Sequence, residues 1–273
     1  MNVSLICACK NRVKPLTISL VSWLFFDEIK EIIIVDWSSD ESLDHLMKFD
    51  SRIKIVSVPN KTHFNQPQPL NLAASISGGD SILKVDCDHI FNPYNNVLKT
   101  YKIDKNSFHS GYPKESPDDA ETKFKVESPY FKPLIGFLHV TKENFEKVGG
   151  YNENLGEFYG YEDEEIQMRL EKCGLIHHKM NCDNNAFHIP HSDLKRTEYF
   201  IGEDAEIYNR YKNDIDQYYS GDVAKYQLEY AMMLVHIEKG KQEASKYNDW
   251  HVPRKTKWNV KKINQQKYFA IEV

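Results

Sequence analysis

The first 85 residues alternate short, β-branched apolar runs with stretches of helical periodicity, and that alternation leaves few folds open. Val3–Cys9, Glu31–Val35, Arg52–Val58 and Ser81–Val85 read as buried strands. Between them, Pro15–Phe26, Ser42–Phe49 and Pro69–Ser77 read as helices, the first with Leu16, Leu20, Trp23 and Leu24 on one face. The pattern predicts an α/β fold with a mostly parallel central sheet flanked by helices. Ligands of such sheets bind outside the carboxyl ends of the strands. Acids stand at two of those ends: Asp36 after the second strand, Asp86 and Asp88 after the fourth.

Beyond Phe91 the alternation weakens. Tyr112–Pro133 is rich in Pro, Asp, Glu and Lys and predicts a long polar loop. Leu134–Val140 reads as a strand returning to the sheet, Lys142–Val148 as a helix closed by Gly149-Gly150, and Glu162–Cys173 as a helix ended by Gly174. Leu175–Met180 and Ala186–Ile189 read as short strands, and Tyr199–Tyr211 and Val223–Lys239 as helices. The expected division is a domain over 1–197 and a helical C-terminal extension over 198–273.

Composition narrows the function classes. A net charge of −5 over 273 residues offers no basic excess for nucleic acid. The exception is Arg254–Lys262, strongly basic around Trp258, which is either a solvated tail or a contact for anionic lipid headgroups or an anionic acceptor. No segment approaches the roughly 18–20 apolar residues that span a bilayer. Met1–Lys10 lacks the basic region of a signal peptide. Five cysteines without a CxxC pair suit a reduced compartment. The expected location is cytoplasmic, with peripheral contact at the inner face of the membrane as an option through the basic segment.

Four groups of residues carry chemistry. In Ile82–Asp88 an apolar run ends in carboxylates at i and i+2, which point to one side of an extended chain. They would repel each other unless a cation sat between them, and hard divalent cations take oxygen ligands shared with phosphates. Cys87 between them reads as a small core hydrophobe. Asp36, in Val35-Asp36-Trp37-Ser38, either accepts from a nucleoside or caps the helix that follows. In Glu162-Asp163-Glu164-Glu165 four acids open a helix, where the dipole favours them. Four in succession exceed that need, which makes one of them a candidate general base. Lastly, His188 and His191 flank Pro190 at a spacing that lets both reach one metal. His177-His178 reads as structural.

In this order the motifs resemble those of GT-A glycosyltransferases. Val3–Arg12, Val35–Asp40, Asn71–Ala74 and Asp86–Asp88 are similar to the amino-terminal half of the family 2 nucleotide-sugar transferases. Gly149–Leu170 is similar to the carboxyl-terminal segment of β-1,4-galactosyltransferases. The resemblance implies a GT-A (Rossmann-like) fold, with a nucleotide-sugar half over about 1–100 and an acceptor and base half over about 101–197. It implies an inverting transfer of galactose or N-acetylgalactosamine from a UDP-sugar to a glycan or glycolipid hydroxyl, in the making of a bacterial surface polysaccharide. Mn2+ or Mg2+ would be held by Asp88, His191 and His188, with histidine at 188 where the family has methionine. Asn11, Arg12, Asp36, Asn71, Lys84 and Asp86 would hold the nucleotide. Asp163 would be the base. Glu162, Tyr161 (where the family has glycine) and Trp37 would contact sugar or base, although Trp37 suits a core equally well. Tyr112–Pro133 would close over the donor.

Other functions remain as alternatives. A sugar nucleotidyltransferase should carry a glycine-rich first loop, and Cys7–Arg12 has no glycine. A retaining transferase would have no use for the acid run. A non-catalytic glycan-binding module gives no reason for the paired acids, and a metal-dependent hydrolase on His188 and His191 lacks further ligands.

Overall fold

The computed structural model describes residues 1–100, 102–111, 114–115, 136–156, 158, 160–180, 186–189, 206, 234–247 and 250–273. Strand β1, Val3–Cys9, is buried at every residue. It runs parallel between β2, Ile29–Trp37, and β4, Ser81–Val85, so both its faces meet protein and both must be apolar. β3, Ile53–Val58, continues the parallel set beside β2. Beyond β4 the sheet turns antiparallel through β8, Phe137–Thr141, and β6, Ser107–Gly111, and ends at β9, Ile176–Met180, parallel to β6. This is the mostly parallel, helix-flanked sheet expected from the sequence.

Helix α1, Val13–Trp23, covers one face with Leu16, Leu20 and Trp23. On the other face lie α2, Pro67–Ile76, α4, Lys142–Lys147, and α5, Glu162–Lys172. A short α3 spans Val97–Thr100. α1 begins two residues before Pro15, because the first turn of a helix has no amide bonds for proline to break. The stretch read as a helix over Ser42–Phe49 is a 3-10 turn over Asp44–Lys48. Gly149 and Gly150 close α4 at φ +83° and +73°. A Cβ at Gly149 would lie 1.9 Å from the Val252 carbonyl oxygen, so both backbone angle and space demand glycine there.

The C-terminal segment departs from the helical reading. Residues 234–244 do form a helix, α6. However, β11, Trp258–Lys262, and β12, Lys267–Glu272, are an antiparallel hairpin. β12 joins β3 in parallel, which makes the order β11-β12-β3-β2-β1-β4-β8-β6-β9. The basic run Arg254–Lys262 is thus in part a sheet strand, not a solvated tail. Trp258 and Val260 face the core while Asn259 and Lys261 face out. All but residue 206 of the helix expected over Tyr199–Tyr211, most of Val223–Lys239 and most of the loop Tyr112–Pro133 lie outside the described residues.

A second, three-stranded sheet stands at the carboxyl end of β4. β5, His89–Phe91, follows Asp88 directly and pairs antiparallel with β10, Ala186–His188. β7, Lys114–Glu115, pairs on the far side of β10. The register sets His188 opposite His89. Among the described residues no helix is long and apolar enough to cross a membrane.

Candidate active site

The two carboxylates of the Asp-x-Asp stand in the tight turn between β4 and β5, not in the extended chain expected, and Cys87 between them turns inward. Its thiol donates to the Ala8 carbonyl at 3.0 Å and lies 3.6 Å from the Cys7 sulfur. Hydrogen bonding to Cys7 and burial push the Cys87 thiol well above its usual range, so it is an inert core residue. Asp88 is buried and accepts from the Arg12 guanidinium at 2.6 Å. Asp86 is more open and accepts from Gln66 Nε2 at 3.1 Å.

His89 completes the group. Its Nε2 lies 3.9 Å from Asp86 Oδ2 and 3.9 Å from Asp88 Oδ1. Asp86, Asp88 and His89 offer ligand atoms all within 4.8 Å of one another, the only such group among the described residues. Burial pulls the His89 pKa down to about 4, which keeps the ring neutral and able to bind a metal. Gly136 backs the group with bare backbone. A Cβ there would stand 2.1 Å from His89 Cε1 and 2.5 Å from Asp86 Oδ2. Two carboxylates and an imidazole around a space kept free of side chain fit Mn2+ or Mg2+. His188 Nε2 lies 3.6 Å from Asp88 Oδ1, carried there by the β5–β10 pairing. His191 lies outside the described residues.

The four acids of α5 separate into different environments. Glu165 is buried against Arg169 at 2.7 Å, and Arg169 also donates to the carbonyls of Val148 and Gly150. That pair fastens α5 to the Gly-Gly turn. Glu164 is half-exposed. Glu162 is buried and accepts from the Gly160 amide at 3.0 Å. Burial, with Asp163 adjacent, raises its pKa to about 7. Asp163 accepts from Tyr151 Oη at 3.0 Å and from Lys84 Nζ at 2.7 and 3.0 Å. Burial raises its pKa to about 6, against the pull of Lys84.

Lys84 joins the two acidic groups. It is fully buried, and its ammonium also lies 2.9 Å from Asp86 Oδ1. Burial alone would lower its pKa, but Asp163 and Asp86 reverse the sign and hold it charged. Lys84, expected at the nucleotide, has its ammonium engaged by two carboxylates inside the protein.

Three further residues of the expected site are also held by protein groups. Asn71 is buried in α2, donating to the Tyr151 carbonyl at 2.8 Å and Glu153 Oε1 at 2.9 Å and accepting from the Tyr151 amide at 2.8 Å. It anchors the Gly149–Tyr151 turn. Trp37 is 1 % exposed, donates to the His63 carbonyl and packs edge-on against Trp258, so it is core and not a stacking platform. Tyr161 packs beside Gly240 of α6, with its hydroxyl 3.2 Å from Met168 Sδ. It braces two helices.

Asp36 accepts from the Ser39 amide at 2.9 Å within the loop after β2, and no helix starts there for it to cap. Asn11, at φ +56°, accepts from the Asp40 amide at 2.8 Å and so ties the loop after β1 to the loop after β2. The sequence reading missed His89, Gln66 and Tyr151. His89 follows Asp88 directly, and that adjacency was the available signal. The distant Gln66 and Tyr151 carried none.

The model of the N-terminal domain of galactosyltransferase matches residues 116–192, less than half of the chain. The chain matches no curated protein sequence. Among solved structures, TarS 1-349 of S. aureus in complex with UDP-GlcNAc aligns at 14 % identity and TM-score 0.59, covering 89 % of this chain and 73 % of that one. Another structure of TarS 1-349 aligns at 17 % identity and TM-score 0.55, covering 86 % and 71 %. The mannosyltransferase PcManGT of Pyrobaculum calidifontis, in complex with GDP-Man and Mn2+, aligns at 14 % identity and TM-score 0.53, covering 90 % and 73 %. Likeness at this level of identity speaks for architecture, and with the topology above it identifies the chain's fold as GT-A.

Proposed function

We propose that the protein is a metal-dependent, inverting glycosyltransferase that takes a sugar from a UDP-sugar donor to a glycan or glycolipid hydroxyl. One observation carries the reading: Asp86 of the Asp86–Asp88–His89 group and Asp163, far apart in the sequence, both contact the single buried ammonium of Lys84. A binding module has no need to bury carboxylates this way. The neighbours with UDP-GlcNAc and with GDP-Man and Mn2+ support a nucleotide-sugar donor and a divalent cation. The galactosyltransferase match over 116–192 favours galactose or N-acetylgalactosamine.

In this reading Asp86, Asp88 and His89 hold Mn2+ or Mg2+, with His188 and His191 as further candidates beside Asp88. A cation bound there offsets the charge of the leaving diphosphate as a Lewis acid. Arg12, paired with Asp88, would carry its positive charge toward the diphosphate. Asp36 and Asn11 border the nucleoside. Asp163 accepts the proton of the acceptor hydroxyl as its oxygen attacks the anomeric carbon. Its raised pKa suits that task, because a base works best with a pKa near the operating pH. Glu162, beside it, contacts the sugar.

The test is release of UDP from a panel of UDP-sugars with Mn2+ present. Turnover should be fastest with UDP-galactose or UDP-N-acetylgalactosamine. At saturating donor and Mn2+, Asp163→Asn should lower kcat by about 100-fold or more. Wild-type turnover retained in that variant would remove Asp163 as the base.

A further inference from the structure

The geometry points to Lys84 as a positioning residue that couples divalent-cation binding at the Asp86–Asp88–His89 group to the negative charge on Asp163. This deepens the reading above and rests on its metal site. A fully buried ammonium has no water to solvate it and must be satisfied by fixed groups. Lys84 finds two, Asp86 Oδ1 at 2.9 Å and Asp163 Oδ2 at 2.7 Å. Each carboxylate has one further donor of its own, Gln66 on Asp86 and Tyr151 on Asp163. Among the described residues Lys84 is the one group that hydrogen-bonds to both.

The consequence follows from charge. A cation binding at Asp86 competes with Lys84 for that carboxylate and is repelled by the ammonium. Asp163 offsets this repulsion by taking most of the ammonium's hydrogen bonding, two contacts against one. Remove the charge on Asp163, and Lys84 turns its full charge on Asp86 and on the cation's position. Coupling between two sites is reciprocal. A cation at the Asp-x-Asp group therefore favours Asp163 in its ionised, proton-accepting form. The base is held ready when the donor's metal is in place.

The test reads Mn2+ binding alone, by calorimetry on the full chain without nucleotide or turnover. Asp163→Asn is nearly isosteric and should weaken Mn2+ binding about fivefold or more. Tyr151→Phe removes the other donor to Asp163 but leaves Lys84 in place, and it should change the affinity less than about twofold. Lys84→Met should abolish the effect of Asp163→Asn, and Lys84→Arg should restore it. If Lys84→Met does not fold, the contrast between Asp163→Asn and Tyr151→Phe still decides. Wild-type binding of Mn2+ with no weakening in Asp163→Asn overturns the coupling and leaves the metal site standing. An equal loss in the presence and absence of Lys84 overturns Lys84 as the link. Absence of Mn2+ binding in the wild type overturns the coupling together with the metal site beneath it.

Discussion

Single side chains here are sorted by what their neighbours leave free. Asn71 and Asp163 both belong to motifs of the expected site, yet Asn71 spends its amide on the backbone of Tyr151 and on Glu153. Removing the amide strands buried polar groups on both partners, each costing on the order of 1–3 kcal/mol. Asn71→Ala should therefore lower stability by roughly 2–4 kcal/mol in urea unfolding while the fold persists. A loss below about 1 kcal/mol, with weakened nucleotide binding instead, would return Asn71 to the ligand site. Lys84 shows the same logic. One of its partners, Asp86, is two residues away, and only the long-range approach of α5 brings the second, Asp163.

At the level of elements, what the sequence made legible was what local periodicity controls. β1 and β4 fall on their expected residues because their apolar runs are bounded by polar turns. α5 starts at Glu162 and ends beside Gly174, as its acids and glycine require. The hairpin β11–β12 was missed although Trp258–Lys261 alternates apolar and polar with period two. Its lysines suggested a solvated segment, whereas they mark the outer face and edge of a sheet, where charge discourages further pairing. The hairpin also explains Trp37, which is buried because Trp258 arrives from the far end of the chain. The Asp-x-Asp could be read from strand-end chemistry. The role of β5 and β10 in bringing His89 and His188 to Asp88 could not, because antiparallel register between residues 89 and 188 leaves no local mark.

Across the whole molecule, the junction where the sheet turns antiparallel holds a row of histidines that sets a pH limit. His139 on β8 and His109 on β6 are direct register partners, and both are buried. Burial lowers the His139 pKa to about 3 and the His109 pKa to about 4. In the unfolded chain both titrate near the ordinary value of about 6.5. Between those values the unfolded state binds more protons, so stability is fully present above about pH 6.5 and is lost as pH falls toward 4. Urea midpoints measured from pH 7 down to pH 4.5 should fall steadily, and His139→Gln should flatten that fall. A midpoint indifferent to pH in the wild type would contradict the neutral, buried row.

The central claim is that the Asp86–Asp88–His89 group is the seat of a metal–nucleotide site. The most direct measurement is calorimetric binding of UDP with and without Mn2+, to the wild type and to Asp88→Ala. UDP binding should require Mn2+ in the wild type and be lost in Asp88→Ala. UDP binding of equal strength with and without the metal, or binding that survives Asp88→Ala unchanged, would contradict it.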